Sequence, residues 1–507
     1  MRILPVSLTV LLVELADLDE TLALFASLEA DPVDGIIDMV PAARTLMIRF
    51  RAEKLTAERL AATIATRDLS ARLEASDMLV EIPVNYDGED LADVAELTGL
   101  SVEDVARRHT ESTFTVAFCG FAPGFGYLVG GDPAQQVPRR QSPRTKIPAG
   151  SVALAGAFSG VYPQNSPGGW QIIGTTPEKM WDLSRDPPAL FQPGHRVRFI
   201  DLAKSSPAVA ATPVKPATSA SISMEPSAGA LTLKVLAAPV PALFQDLGRF
   251  GQTGQGVSSS GALDQGALKA ANRIVGNSAG TPVLEIILGG FSFEVSGRTV
   301  LGIAGAPCPI TIRDASGRSI EASTYQPIAL EAGDVVTLGQ APKGMRSYLS
   351  VRGGFAVKPV LGSASTDTLA VVGPDPVTSG TVLTINNATA DLTSVSLTEA
   401  PAFDHPASGD VVTLDVIMGP RSDWFTDTGI ATLSSQLWQV TPQSNRVGIR
   451  ISGQPVLFLA DHPLTGGYPV IGTVAEYHLD LAGQIPVNAQ IRFRPVTSFA
   501  DIKPAKA

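Results

Sequence analysis

A mainly β, α+β protein of several domains is predicted by three features of this 507-residue sequence: its length, its supply of turn formers, and the short apolar runs between them. One hydrophobic core does not serve so long a chain, so about two to four domains are expected. The 47 Gly and 39 Pro set against only 6% aromatics favour short strands and many turns over long helices.

Residues 3–13 are apolar and follow Arg2, which imitates the core of a signal peptide, but Glu14, Asp17, Asp19 and Glu20 come at once. A buried first strand is the better reading. Residues 8–13 and 45–50 read as strands around a helix at 20–29, where Leu22, Phe25 and Leu28 recur at helical spacing. This gives a small α/β domain over 1–78. A helix pair follows at 90–109, broken by Gly99 and restarted by Ser101 with Asp104. Short β-runs at 114–119, 151–155, 171–174 and 195–200 then suggest a closed or nearly closed barrel, making 79–202 the second domain.

Residues 203–230, rich in Ala, Ser and Pro, lack core-forming side chains and are expected to be a flexible linker. Beyond it, runs at 231–236, 283–287, 291–295, 299–303, 335–338 and 347–351 read as strands. A helix at 264–275 carries Leu268, Ala271 and Val275 on one face and stops at Gly276. Two further β-rich domains are expected, at 231–375 and 376–497.

Composition also excludes partners. A formal net charge of −11 argues against nucleic acid and anionic membranes. No run of roughly 18 apolar residues occurs, so no membrane span is expected. Cys119 and Cys308 lie in different halves with no Cys-x-x-Cys, which fits a reducing, cytoplasmic setting. The sequence has no phosphate loop, no dinucleotide fingerprint, no His-Glu-x-x-His and no Gly-x-Ser-x-Gly. His109, His195, His405, His462 and His478 show no metal-ligand spacing, so no metal site is expected.

Several loops are chemically unusual. Gly120-Phe121-Ala122-Pro123-Gly124-Phe125-Gly126-Tyr127-Leu128 packs aromatics between turn formers, as a structural loop or a rigid pocket wall. Arg144 and Lys146 flank a turn and can bind an anion, or can equally be solvated surface cations. Tyr162, Gln164, Asn165 and Ser166 sit among Pro and Gly ahead of Trp170, where a rigid barrel would display them.

In order, these motifs, with the lead-in Ile82-Pro83-Val84-x-Tyr86-Asp87-Gly88, resemble the allophanate hydrolase subunit 1 family, also called the sporulation-kinase-inhibitor family. The second half resembles the subunit 2 family through Phe244-Gln245-Asp246-Leu247-Gly248-Arg249, Ser260-Gly261-Ala262-Leu263-Asp264, Leu284-Glu285 and the run from Leu361 to Thr368. Ser444-Asn445-Arg446-x-Gly448 and Asp461-x-x-x-Thr465-Gly466-Gly467-Tyr468 continue it. Two departures stand out: 448–461 is too short for an insert that relatives carry, and Val-Gly-Pro-Asp-Pro-Val-Thr-Ser replaces a Gly-rich stretch at 372–379.

The resemblance implies cyclophilin-like β-barrels, one in the first half behind the small α/β domain and two in the second half. It implies the fused B and C components of an ATP-dependent 5-oxoprolinase, inactive without a separate lactam-hydrolase (A-type) subunit. Its alternatives are a biotin-dependent carboxyltransferase acting on urea, with a biotin carrier, and a non-enzymatic regulator of a sensor histidine kinase. ATP would be the cofactor, a small amide or lactam the substrate, and there is room for a homo-oligomer. Under the resemblance, Asp264, Asp461 and Thr465 are candidate catalytic groups. Arg144, Lys146, Tyr162, Ser166, Ser365 and Thr366 are candidates for holding substrate or anion.

Overall fold

The computed structural model describes residues 1–69, 78–204, 230–386, 392–453, 455–462, 464 and 469–505. The linker expected at 203–230 therefore lies, but for its ends, outside the described residues, and so does Thr465. Strands make up 33% and helices 17%, so the chain is mainly β, as expected. Among the described residues no helix is long and apolar enough to cross a membrane.

The first sheet is antiparallel, in the order Arg2–Pro5, Val10–Glu14, Thr45–Phe50, Ile36–Pro41. Helices Leu18–Ala30 and Ala57–Ala65 bury Leu24, Leu28, Leu60 and Ile64 with Leu11, Val13, Leu46 and Ile48. Both start at side-chain caps, Asp17 and Thr56, which accept from the N–H groups of Glu20 and Arg59.

Seven strands form the next sheet, ordered Gln171–Thr175, Ser151–Ala155, Phe158–Val161, Gly126–Val129, Phe114–Cys119, Arg196–Asp201, Leu79–Val84. Its two edges meet again where Asn85 and Thr175 exchange backbone hydrogen bonds of 2.8 Å, giving a nearly closed barrel. Helices Leu91–Thr98 and Val102–Glu111 pack outside. Gly99 ends the first at φ 69° and the Ser101 hydroxyl caps the second, as the sequence implied. His109 is wholly buried, its Nδ1 2.8 Å from the Tyr86 hydroxyl and its Nε2 3.0 Å from the Ser159 hydroxyl. Burial lowers its pKa to about 3, so it is a neutral core residue.

In the second half a six-stranded and a five-stranded sheet close on one core that includes Val235, Phe293, Leu301, Ile303 and Leu349. Helix Gln265–Val275 lies on the five-stranded sheet with Leu268, Ala271 and Ile274 inward. Strand Val382–Thr384 still pairs with Thr232–Ala237, so this sheet takes in residues beyond the boundary expected at 375.

The last sheet has the order Trp438–Gln439, Gln490–Pro495, Val411–Met418, Gly472–Val474, with a ribbon of Gly448–Arg450 and Val456–Phe458 beside it. Among the described residues it makes a half-barrel. Its strand Val411–Met418 runs parallel to Gln490–Pro495, repeating the parallel pairing of Leu79–Val84 with Arg196–Asp201 in the first barrel. The chain then returns to the first sheet: Ile502 N–H donates to Ile3 O at 2.7 Å, and Arg2 grips both carboxylate oxygens of Asp501.

Candidate functional site

Two loops of the first barrel dock on the second half. Gln164 donates from Nε2 to Leu369 O at 3.4 Å, and Gly124 N–H to Gln255 O at 3.0 Å. Thr253 donates to Asp38 of the first sheet at 2.6 Å. Backbone strain gathers at this junction. Phe121, Ser260, Leu361 and Val371 all have positive φ, between 51° and 66°, a costly state for residues other than glycine that concentrates at functional sites.

Close approach at the junction depends on Gly256 (φ 79°), where an added Cβ would stand 2.6 Å from Ala122 O. Gly256→Val is therefore expected to part the halves, read as a larger radius of gyration in small-angle scattering. Gly251→Val is the control, because Gly251 has the same backbone sign (φ 73°) but nothing within 4 Å. Equal expansion in both variants would show strain, not contact, to be the cause.

Behind the junction, the second half buries a charged network. Arg446, 3% exposed, donates from Nη1 to Glu285 Oε1 at 2.6 Å, from Nε to Asp461 Oδ2 at 3.0 Å, and from Nη2 to Gly261 O at 2.6 Å. Asp461 also accepts from the Ser260 hydroxyl at 2.7 Å, the Thr368 hydroxyl at 2.7 Å and the Thr368 N–H at 3.0 Å. Burial pushes the Asp461 carboxyl up, but the Arg446 guanidinium outweighs it and holds the group below the usual carboxylate range. Asp367, near Asp461 but without its arginine, is raised by burial and by that charge. Asp367 accepts from the Ser258 hydroxyl at 2.7 Å and from the N–H groups of Leu369 and Ala370.

The loop 360–366 is fixed from two sides. Arg249, 1% exposed, donates to the carbonyls of Val360, Ser363 and Ser365. Asp246 accepts from the Ser363 and Ser365 hydroxyls, both at 2.6 Å, and from the Ala364 N–H at 2.7 Å. Asp246 and Arg249 thus hold one loop jointly and form no ion pair with each other.

The sequence-predicted residues fall into three places. Asp461, Ser365 and Thr366 come together behind the junction; Ser365 bonds Asp246, and Thr366 donates to Pro374 O at 2.9 Å. Asp264 lies on the other side of Glu285, its N–H donating to the Tyr348 hydroxyl, which donates to Glu285 Oε2, both at 2.9 Å; its carboxylate caps helix Gln265–Val275 through the Ala267 N–H at 2.8 Å and accepts from Gln484 Nε2 at 2.8 Å. Burial raises its pKa to about 6. Tyr162 and Ser166 lie in the barrel. Tyr162 is 2% exposed among Phe121, Phe125 and Trp170, with burial pushing its hydroxyl up to about 12. Ser166 donates to Gln164 O at 3.1 Å.

Arg144 and Lys146 do not act as a matched pair. Arg144 donates from Nη1 and Nη2 to both oxygens of Asp90, at 2.9 and 2.7 Å, and Arg140 joins the same carboxylate. Asp90 is 1% exposed and also accepts the Ile172 N–H at 2.7 Å. Burial pushes Asp90 up, but Arg144 and the Ile172 N–H win and hold it below the carboxylate range. Lys146 is exposed and has no hydrogen-bond or ion-pair partner among the described residues.

Sequence reasoning gave no chemical role to Asp90, Glu285, Asp367 or Arg446. The one available signal was that Glu285, Asp367 and Arg446 sit inside the motifs quoted above; Asp90 had none. Among the described residues no group of His, Cys, Asp and Glu is placed to hold a metal ion.

Comparison with known proteins places both halves. The model of the carboxyltransferase domain, subdomains C and D, matches residues 1–191, and that of subdomains A and B matches 255–454 and 451–495. The chain is 38% identical over 194 residues to the 5-oxoprolinase B component of Bacillus subtilis (strain 168), covering 35% of this chain and 81% of that protein. It is 31% identical over 291 residues to the 5-oxoprolinase C component of Escherichia coli (strain K12), covering 52% of this chain and 90% of that protein. The solved structure of TTHA0988 superposes with a TM-score of 0.81 at 31% identity, over 96% of this chain and 99% of that one.

Proposed function

Because the chain belongs to the carboxyltransferase-domain family, with its C–D part ahead of its A–B part, we propose that it unites the B and C components of an ATP-dependent 5-oxoprolinase. It activates the lactam carbonyl of 5-oxoproline for hydrolysis to glutamate, and a separate lactam-hydrolase partner finishes the reaction. The observation that carries this reading is the docking of the Tyr162–Ser166 loop on the 365–371 loop through Gln164 and Leu369, which joins a B-like part to a C-like part at one junction.

A lactam resists water because its nitrogen lone pair is delocalised into the carbonyl. ATP supplies the phosphoryl group that converts the lactam oxygen into part of a leaving group, and such transfer needs cations and oriented donors around the developing charge. Lys146 and Arg139 are exposed and without partners among the described residues, and Arg139 is close enough for its charge to act on the Tyr162 hydroxyl. They fit a phosphate or the substrate carboxylate, with Tyr162 and Ser166 orienting the ring. Ser365, Thr366 and Thr465 contribute hydroxyls from the second half. Asp461, locked by Arg446, sets Ser260 and Thr368, while Asp264 steadies helix Gln265–Val275.

Mixed with a lactam-hydrolase partner, the protein is expected to support phosphate release from ATP that depends on 5-oxoproline, with neither protein active alone. Lys146→Ala should lower that activity by about ten- to a hundredfold, the scale of one charge-assisted bond, and leave the melting temperature unchanged. The match to a carboxyltransferase domain favours a second reading, carboxyl transfer from a biotin carrier to urea or a related amide. Activity with urea and a biotinylated carrier, and none with 5-oxoproline, would decide for it.

A further inference from the structure

We propose that His462 is the base of the reaction at the junction, its Nε2 taking the N–H proton of the amide or lactam substrate. This role presupposes the amide activation proposed above. One bond sets the ring up for it: His462 Nδ1 lies 2.6 Å from Leu459 O. A carbonyl oxygen only accepts, so Nδ1 carries the hydrogen and Nε2 keeps its lone pair. His462 is partly exposed, and its Nε2 is neither buried nor hydrogen-bonded among the described residues. Asp461, the residue before it, is locked by Arg446 and accepts from Thr368, whose neighbour Leu369 receives Gln164 of the first barrel.

The first sheet reaches the same place. On strand Thr45–Phe50, Leu46, Ile48 and Phe50 face the helices, so Arg49 projects from the opposite face. That face meets the second half: Glu14 pairs with Arg421 at 2.9 Å, and Asp38, opposite Arg49 in the ladder, accepts from Thr253. Arg49 has no hydrogen-bond or ion-pair partner among the described residues, and its charge acts on His462. Burial is the main cause holding the His462 pKa below the usual imidazole value, and Arg49 adds to it; the Leu459 carbonyl, Asp461 and Asp367 oppose them. The ring is thus neutral at neutral pH, and Asp461 offsets the charge it gains with a proton. As the lactam oxygen attacks the γ-phosphorus of ATP, the carbonyl π electrons form the O–P bond and the bond to the bridging oxygen breaks, its electrons leaving with ADP. The N–H proton passes to Nε2, and the pair it leaves behind forms the C=N bond.

His462→Asn keeps a donor for Leu459 O and removes the base. With the lactam-hydrolase partner present it is expected to lower kcat about a hundredfold or more, leaving KM and the melting temperature little changed. The acid limb of the wild-type pH profile, where His462 takes up a proton and the rate falls, should vanish in this variant. In Arg49→Gln it should move to higher pH, because a cation that disfavours the protonated ring is gone. A His462→Asn rate within about threefold of wild type, with the acid limb intact, would overturn the proposal. Diethyl pyrocarbonate, which acylates accessible neutral imidazoles, tests the ring without turnover. At neutral pH it should label His462 and spare the wholly buried His109, and an unlabelled His462 would overturn the base whatever the substrate. Wild-type inactivity with 5-oxoproline would instead count against that reaction. The same variants are then read with urea and a biotinylated carrier, where the attacking nitrogen must also lose a proton, and an undiminished His462→Asn rate there would overturn the base. Inactivity of the wild type in both assays would overturn base and reaction together.

Discussion

Arg446→Ala is expected to cost about 3–5 kcal/mol, because it leaves Asp461 as a buried charge without its cation and leaves Glu285 only Arg346, at 3.5 Å. All three side chains are at most 3% exposed, so water cannot take over the role of the guanidinium. The loss should appear in urea unfolding as an early transition of the second half, because Arg446 joins the last sheet to Glu285 of the five-stranded sheet and to Gly261 O. Combining Arg446→Met with Asp461→Asn removes the stranded pair, leaves Glu285 to Arg346, and should recover much of the loss. A single-variant cost within about 1 kcal/mol would mean that the network contributes no more than a surface pair.

Asp90→Ala is the second large effect, expected at about 2–4 kcal/mol. It strands the Ile172 N–H inside the barrel, at about 1–3 kcal/mol, and frees Arg140 and Arg144 from their carboxylate. Asp90→Asn keeps an acceptor for Ile172 and isolates the part due to charge. The sign with pH follows from the lowered pKa: the contribution is complete above the unfolded value near 3.9 and is lost as pH falls towards the folded one. The wild type should therefore lose more stability than Asp90→Asn between about pH 5 and 3. Asp264 has the opposite sign, because its folded pKa is raised to about 6. Its ionisation weakens the fold as pH rises from about 4 to above 6. Arg144→Ala is expected to lower stability as well, through Asp90.

What the sequence made legible was local. Asp264 as a helix cap, Gly276 as its stop at φ 71°, and the Gly99–Ser101 break each depend on residues within a turn of one another. Strand Thr45–Phe50 lies at the run read as a strand, and the helix expected at 20–29 runs over Leu18–Ala30. The charged network was not legible, because Arg446 and Glu285 stand 161 positions apart and no local period links them. Asp90 looked like the start of a helix; of its two arginines 50 and 54 residues on, Arg140 carried no reading and Arg144 was a candidate for holding an anion. Family motifs marked Glu285 and Arg446 without saying what they hold.

The return of the last residues to the first sheet has a consequence for the order of folding. Ile502 packs on the core formed by Leu11, Leu24 and Ile48, and Arg2 waits for Asp501, 499 positions later. A ribosome adding about 5–20 residues per second needs roughly 25–100 s to supply that partner. During this time the small domain of the first sheet keeps one apolar seam uncovered. It is made before the barrels and completed only after them, and over that interval a chaperone has most to gain by binding it.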